Sequence, residues 1–500
     1  MVFPAAHATQ QLQTLAQSRV RLLYTNDLHE HWENAPALVS ATDAMRALGQ
    51  ASGADVLTLN AGDTNTSSEP QEWTLGVRVL NRLGVLATTI GNHELDLSIP
   101  AYLQGLQQGA AQFKTLISNL RLPFVNPLTD KNISAPVTAR PQIINGQNGA
   151  YGLIGITRPA EISKIDTALT AQGVAPMDFA TTRKLVQAQV DALEQQGIHR
   201  IVLLSHMGTE YDQKLAQQVS GVDVIVSGDT HDIYPGVQAG ENLFTSPRGE
   251  PVLLLQAGCN GEWLGVADVF FNDQGHVIPE RNQLVDSRKF PADDQTEALI
   301  SQAIGPNTPV AELAAPYDNA RVAKDWDPVA QMTAYAMRQA TGADVALVRS
   351  REVRENLPAG PVGAWQLKTL MPYADPVVVV RVSGADLQAS LARVADGLAN
   401  PWKRISPLLH ASGLRYTVTP KAGQVQSATI YDQDTQQWQS IDPQRTYTVA
   451  VSRYTVDNPI EFPELSHPEA VVLNTQRPLR SFFEGYLSQL PQPVVLPKRL

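Results

Sequence analysis

Five short segments pair hard or borderline metal-ligating side chains with a turn. They are "NDLHEH" with Asp27 and His29, "AGDT" with Asp63, "GNHELD" with Asn92, His93 and Asp96, "LLSHMG" with His206, and "SGDTHD" with Asp229 and His231. Singly, each has an ordinary explanation. Gly-Asp is turn chemistry, an Asp can cap a helix, and a histidine after a strand is commonly just hydrogen-bonded. Together, Asp27, His29, Asp63, Asn92, His206, Asp229 and His231 offer enough O and N donors for two divalent cations with water completing the shells. Two such ions about 3.5–4 Å apart can clamp the attacking and leaving oxygens of an in-line displacement. One carboxylate must bridge them, which a short Asp at a tight turn can do. His93, diverging from Asn92, is left to meet the substrate, with Asp96 fixing its tautomer.

These residues need strands that end side by side. Residues 19–286 alternate short apolar runs ("VRLLYT", "DVLTLN", "RIVLLSH", "DVIVSG") with helical patterns. In "TTRKLVQAQVDALEQQG", Val186, Val190 and Leu193 share one helical face and Gly197 suits the C-terminal cap. The fold class is therefore α/β, with polar residues at the C-terminal strand ends where such proteins build their sites. Residues 287–326 mix Pro, Asp and Asn around one short helix capped by Asp293 or Asp294, and read as an interdomain connection. Residues 327–500 read as a second, α+β domain, opened by the helix "DPVAQMTAYAMRQATG" and carrying the strands "PVVVVRVSG", "LRYTVTP", "SATIYD" and "TYTVAVSRY".

The totals bound the function. A chain of 500 residues exceeds one core, and 43% hydrophobic with 17% charged residues is a globular composition. A net charge of -11 with no Lys/Arg run argues against nucleic-acid polymers and anionic membranes as partners. No apolar stretch is long enough for a bilayer, and no protein partner is evident. The single cysteine, Cys259, excludes an internal disulfide framework and a cysteine-based zinc site. The N-terminus lacks a full signal peptide. "AHA" before Thr9 is either the remnant of a trimmed export signal, which implies a periplasmic or secreted protein, or an Ala-rich terminus.

In chain order, "DLH", "GD", "GNHELD", "SHMG" and "GDTH" resemble the calcineurin-like metallophosphoesterases, and more closely the bacterial 5'-nucleotidase and UDP-sugar hydrolase group. "EPVLLLQAGCNGEWLGVADVFF" resembles the segment closing that group's catalytic domain. "GADVALVRSREVRENLPAGPVGAWQLKTLMPYADPVVVVRVSGADL" and "HASGLRYTVTP" resemble its C-terminal substrate-binding domain. The resemblance implies a four-layer α/β/β/α catalytic domain and a two-metal hydrolase of small phosphate esters. It places Asp27, His29, Asp63 and His231 on one metal, and Asp63, Asn92, His206 and Asp229 on the other, with Asp63 bridging and His93 and Asp96 as the catalytic dyad. The metals are manganese, zinc, iron or magnesium. Asp229 stands where the family carries a histidine, and a hard carboxylate there favours manganese or magnesium over zinc; alternatively, the shorter side chain falls short of the ion.

Other departures concern access and recognition. Glu30 replaces a glycine and "GDTNTSSEP" lacks one, which would crowd the metals. In the second domain, Leu408 stands at the position of one base-stacking ring, Tyr454 matches the other, and "NPIEF" replaces a glycine-rich nucleoside contact. Arg354 matches a substrate-contacting arginine; Arg349 and Arg351 read first as solvated loop residues, with anion binding as the alternative. The expected activity is a 5'-nucleotidase-like phosphomonoesterase with altered base recognition. Alternatives are a cyclic-nucleotide phosphodiesterase, a sugar-nucleotide hydrolase, a thiosulfate-ester hydrolase, or a non-catalytic anion-binding relative.

Overall fold

The strand Ser18–Thr25 sends Val20, Leu22 and Tyr24 into one core by its two-residue period. The strands Ile201–His206, Val224–Ser227 and Pro251–Leu255 use both faces. Val202, Leu204, Val224, Val226, Leu253 and Leu255 enter the same core as Val20, whereas Ile201, Leu203, Ile225 and Leu254 pack against helices. Strands buried on both faces read as the continuous apolar runs seen in the sequence. The computed structural model describes residues 18–66, 70–95, 98–122, 136–163, 167–171, 173–272, 274–319, 326–400, 408–419, 422–459 and 461–497.

Two sheets enclose this core. The first runs Val277–Asp286, Trp263–Phe271, Ser18–Thr25, Asp55–Asn60, Ala87–Thr89, Lys114–Leu116, Val137–Thr138. The second runs Leu243–Thr245, Pro251–Leu255, Val224–Ser227, Ile201–His206, Ala150–Thr157, Gln142–Asn145. Helix Ala35–Ala51 covers the outer face of the first sheet, where it meets helices Pro70–Leu83 and Asp294–Ile304. Helix Phe179–Glu194 buries Val186, Val190 and Leu193 against the second; each such side chain contributes roughly 1.5–3 kcal/mol. The layers are thus α/β/β/α. Arg21, forked onto Asp268 at 2.8 and 2.9 Å, ties Ser18–Thr25 to its antiparallel neighbour Trp263–Phe271.

The chain divides into two compact units, with Gly305 closing the first and Pro306 opening the second. The segment 287–326, expected as a connection, is shared between them. Asp293 caps helix Asp294–Ile304 and binds Arg82 within the first unit. The strand Pro309–Leu313 pairs with Gly360–Gly363, and Tyr317 donates to Asp327, within the second. The second unit holds a five-stranded sheet, Leu409–Ser412, Val345–Arg349, Thr446–Ser452, Pro376–Ser383, Val471–Pro478. Helices Pro328–Thr341 and Leu479–Leu487 bury one set of its side chains and helix Gly384–Ala399 the other. Asp327 caps Pro328–Thr341 and Gly342 ends it at φ 67°, which bounds the helix read from "DPVAQMTAYAMRQATG". No helix among the described residues is long and apolar enough to cross a membrane.

Candidate metal centre

Parallel pairing brings the motif-bearing strand ends into two rows. In the first sheet, Ser18–Thr25, Asp55–Asn60 and Ala87–Thr89 run parallel, and their C-terminal ends carry Asp27, Asp63, and Asn92 with His93. In the second, Ile201–His206 and Val224–Ser227 run parallel and end at His206 and before Asp229. Backbone bonds stitch the loops together: Asp27 N–H to Gly62 O at 3.0 Å and His29 N–H to Asp63 O at 3.1 Å. Across the sheets, the Asp229 N–H lies 3.0 Å from Asp27 Oδ2. Ser205 and Ser227, at the ends of adjacent strands, both donate to buried Asp212.

Asp27, His29, Asp63, Asp229 and His231 have φ of 52°, 49°, 50°, 83° and 58°, the left-handed region. Non-glycine residues hold it only where their surroundings enforce it, and such strain concentrates at functional sites. Close approach elsewhere requires glycine. A Cβ on Gly91 would stand 2.0 Å from Asp63 Oδ1, and one on Gly228 2.8 Å from His206 Nδ1.

The donors converge. His206 Nε2 is 3.0 Å and His29 Nε2 3.5 Å from Asp63 Oδ2; His29 Nε2 and His231 Nε2 are 3.6 and 3.4 Å from Asp27 Oδ1. Ligands held about 2.1 Å from a shared ion stand about 3–3.4 Å apart, so this spacing suits a cation at their centre. Three groups of donors form on this basis: Asp27, His29 and His231; Asp27, Asp63 and His206; and His29, Asp63 and His93. The chemistry of the unsatisfied atoms fits as well. His29 Nε2 and Asn92 Oδ1 are buried without a hydrogen-bond partner, a costly condition that a bound cation would relieve, and His206 Nε2 is buried against Asp63 Oδ2. His206 Nδ1 lies 2.6 Å from Ala61 O, an orientation that leaves Nε2 to face Asp63.

The electrostatics are mutually reinforcing. Burial opposes the charge on Asp63, but His206, His93 and His29 outweigh it and hold the carboxyl well below its ordinary range. Burial likewise opposes a charged His206, yet Asp63, Asp27 and Asp229 raise its pKa to about 10. Burial opposes a charged His231 too, and contact with Asp27 and Cys259 raises it to about 11.

His93 stands beside the ligands: its N–H donates to Asp63 Oδ1 at 2.9 Å and its ring meets His29 edge-on at 5.3 Å. Asp96, expected as its partner, lies outside the described residues. Asp229 is at the site, with Oδ1 3.9 Å from His206 Nε2 and in contact with Arg158 Nη2. Glu30 is buried beside these loops. Its carboxylate accepts from Asn65 Nδ2 at 3.1 Å and Thr66 Oγ1 at 3.4 Å, so the residue replacing one glycine holds the loop that lacks another.

Two residues escaped the sequence reading. Glu94 is buried and accepts the N–H groups of Asp63, Thr64 and Gly91 at 2.9, 2.8 and 2.7 Å, tying two metal loops together. Its place in "GNHELD" was the available signal. Arg158 follows the strand Ala150–Thr157; a cation directly after the apolar run "YGLIGIT" was the signal there.

In the second unit, Arg354 is exposed and donates to Tyr373 Oη at 2.6 Å. Tyr454 is 41% exposed, with one ring face 4.5 Å from the Arg349 guanidinium. Arg349 is not a solvated loop residue: only 7% exposed, it bridges Glu352 at 3.0 Å and Glu461 at 2.9 Å. Arg351 is exposed and reaches Glu461 at 3.4 Å. Leu408 is half-buried and packs against the core beneath the sheet.

A double sheet with Asp, His and Asn gathered at its strand ends defines a metal-dependent hydrolase site, and comparison with known proteins gives the family. Residues 20–232 match the calcineurin-like phosphoesterase family and residues 309–467 the 5'-nucleotidase C-terminal domain. The chain belongs to the calcineurin-like phosphoesterases that carry a 5'-nucleotidase C-terminal domain, hydrolases of phosphoric esters built on a dinuclear metal centre. It is 27% identical over 401 residues to the metallophosphoesterase YunD of Bacillus subtilis, covering 76% of this chain and 79% of that protein. It is 29% identical over 311 residues to the snake venom 5'-nucleotidase of Gloydius brevicauda, covering 56% of this chain and 50% of that protein. The structure of a 5'-nucleotidase precursor from Thermus thermophilus superposes with a TM-score of 0.65 at 22% identity, covering 96% of this chain and 98% of that one, and shares the fold.

Proposed function

We propose that this protein is a two-metal phosphomonoesterase of the 5'-nucleotidase type, acting on a small phosphate ester such as a nucleotide. The observation that carries the reading is the convergence of the buried donor atoms His29 Nε2, Asn92 Oδ1 and His206 Nε2 beside the carboxylates of Asp27 and Asp63. Asp27, His29, Asp63 and His231 would hold one ion and Asp63, Asn92, His206 and Asp229 the other, with manganese favoured. When bound, the ions supply Lewis-acid stabilisation of the phosphoryl oxygens and an activated water nucleophile. Asp63, within 3.5 Å of both His29 and His206, would be the carboxylate shared by the two ions. His93, anchored through its N–H to Asp63, would donate to the oxygen of the leaving group, with Asp96 orienting the ring. Arg354 and Tyr454 would meet the remainder of the substrate in the second unit. Export to the periplasm or the medium fits the "AHA" segment of the N-terminus.

Elemental analysis with hydrolysis of an aryl phosphate, with and without added manganese, tests this. The expected result is about two ions per chain and turnover that a chelator abolishes and manganese restores. Fewer than one tightly held ion together with no turnover under any metal overturns it.

A further inference from the structure

Arg158 reaches the metal centre from a strand end that none of the five motifs uses. Strand Ala150–Thr157 runs parallel to Ile201–His206 with Thr157 opposite His206, so Arg158 emerges beside the same loops. Its Nη2 contacts Asp229 Oδ1, and its Nε is buried without a hydrogen-bond partner. Asp229 is fixed on its other side as well: its N–H meets Asp27 Oδ2 at 3.0 Å, its backbone is left-handed, and its Oδ1 is 3.9 Å from His206 Nε2. The carboxylate is therefore held between a guanidinium and the donors of one candidate ion.

A neutral imidazole at position 229 would add a ligand atom and no charge. A carboxylate adds a ligand atom and one negative charge, and a guanidinium in contact removes that charge from the total. We propose that Arg158 is a positioning residue that makes Asp229 the electrostatic equivalent of a neutral ligand, so that the second ion is held more loosely than an unpaired carboxylate would hold it. This rests on the two-metal reading above. It also alters the expectation for metal choice: the hard oxygen remains, but its extra attraction for a dication is cancelled by the arginine.

The test is calorimetric titration of chelator-stripped protein with Mn²⁺, resolving two binding steps, and it needs no turnover. Arg158→Gln is expected to tighten the weaker step about tenfold and leave the other unchanged, because an unbalanced carboxylate then faces the ion. Arg158→Lys, which keeps the charge, is expected to bind as the wild type does. Asp229→Asn is expected to loosen the same step about tenfold, which keeps the proposal testable should the Gln variant not fold. An Arg158→Gln protein with unchanged or weakened steps, an Arg158→Lys protein that behaves like the Gln variant, or an Asp229→Asn protein that binds as the wild type does each overturns the proposal. Wild-type protein that takes up fewer than two ions overturns the two-metal reading itself, and with it the role of Arg158.

Discussion

The residues of the centre are held where they would not rest alone. Five proposed ligands have left-handed backbone, and the buried carboxylates of Asp27 and Asp63 face four imidazoles, two of them buried. Such an arrangement stores both backbone strain and unpaired polar atoms, and a dication relieves the second. That these side chains gather was legible because five motifs pairing Asp, His or Asn with a strand end fall in order along the chain. Arg158 and Glu94 were not, since arginine and glutamate carry many roles and only contact distances reveal theirs. The protonation of the imidazoles sets a pH dependence with a definite sign. His206 and His231 are raised from 6.5 to about 10 and about 11, so at neutral pH each carries a proton on the ring that must present a bare nitrogen to the metal. Uptake of both ions would therefore release about two protons, one from each ring, and the apparent affinity for each ion would fall about tenfold per unit drop in pH. Mn²⁺ titrations in buffers of differing ionisation enthalpy read this directly. A binding heat independent of the buffer would show that these histidines bind no ion or ligate it without losing a proton.

At the scale of elements, the strands were read well and the loops that join them less so. Continuous apolar runs and helix caps such as Asp293 leave strong local marks, so the runs around residues 20–25, 55–60, 201–206 and 223–228 correspond to observed strands. The strand Ala150–Thr157 escaped because its two glycines dilute the apolar signal. The segment 287–326 read as a connection because Pro, Asp and Asn dominate it, yet both of its halves fold onto their units through contacts distant in sequence. Loop–loop ties of this kind include the Glu94 clamp. Its side chain is fully enclosed, and burial, with Asp63 nearby, raises its pKa to about 7 against the opposing pull of His206 and the Thr64 and Gly91 N–H groups. Replacing one of its oxygens with an amide, as in Glu94→Gln, sets an N–H against N–H donors. The loss expected is about 1–3 kcal/mol of folding stability by denaturant titration, with weaker metal binding alongside. Unchanged stability and metal affinity in this variant would mean that the clamp holds neither loop.

The whole molecule joins two compact units of, in the proposed reading, different duty. In that reading the first would carry the chemistry and the second would recognise a part of the substrate other than phosphate. The second unit departs from the family resemblance at the positions proposed to meet the substrate. Leu408 stands where an aromatic ring is expected, and the segment replacing the glycine-rich contact supplies Glu461, which pairs with Arg349 beneath Tyr454. One ring face is thus occupied by a guanidinium that is itself locked by Glu352 and Glu461, leaving Tyr454 a single stacking face. A stacked ring contributes about 0.5–1.5 kcal/mol beyond its buried area, equivalent to about two- to tenfold in binding. Tyr454→Ala should therefore raise KM for 5'-AMP by about that factor while leaving kcat, and both constants for an aryl phosphate, unaltered. Parallel steady-state kinetics on the two substrates decide the matter. Equal changes for both would place the effect in the stability of the protein or in the catalytic unit. No change for either, with 5'-AMP and a simple sugar phosphate hydrolysed alike, would show that this ring reads no base and that the enzyme selects its substrate by the phosphate end alone.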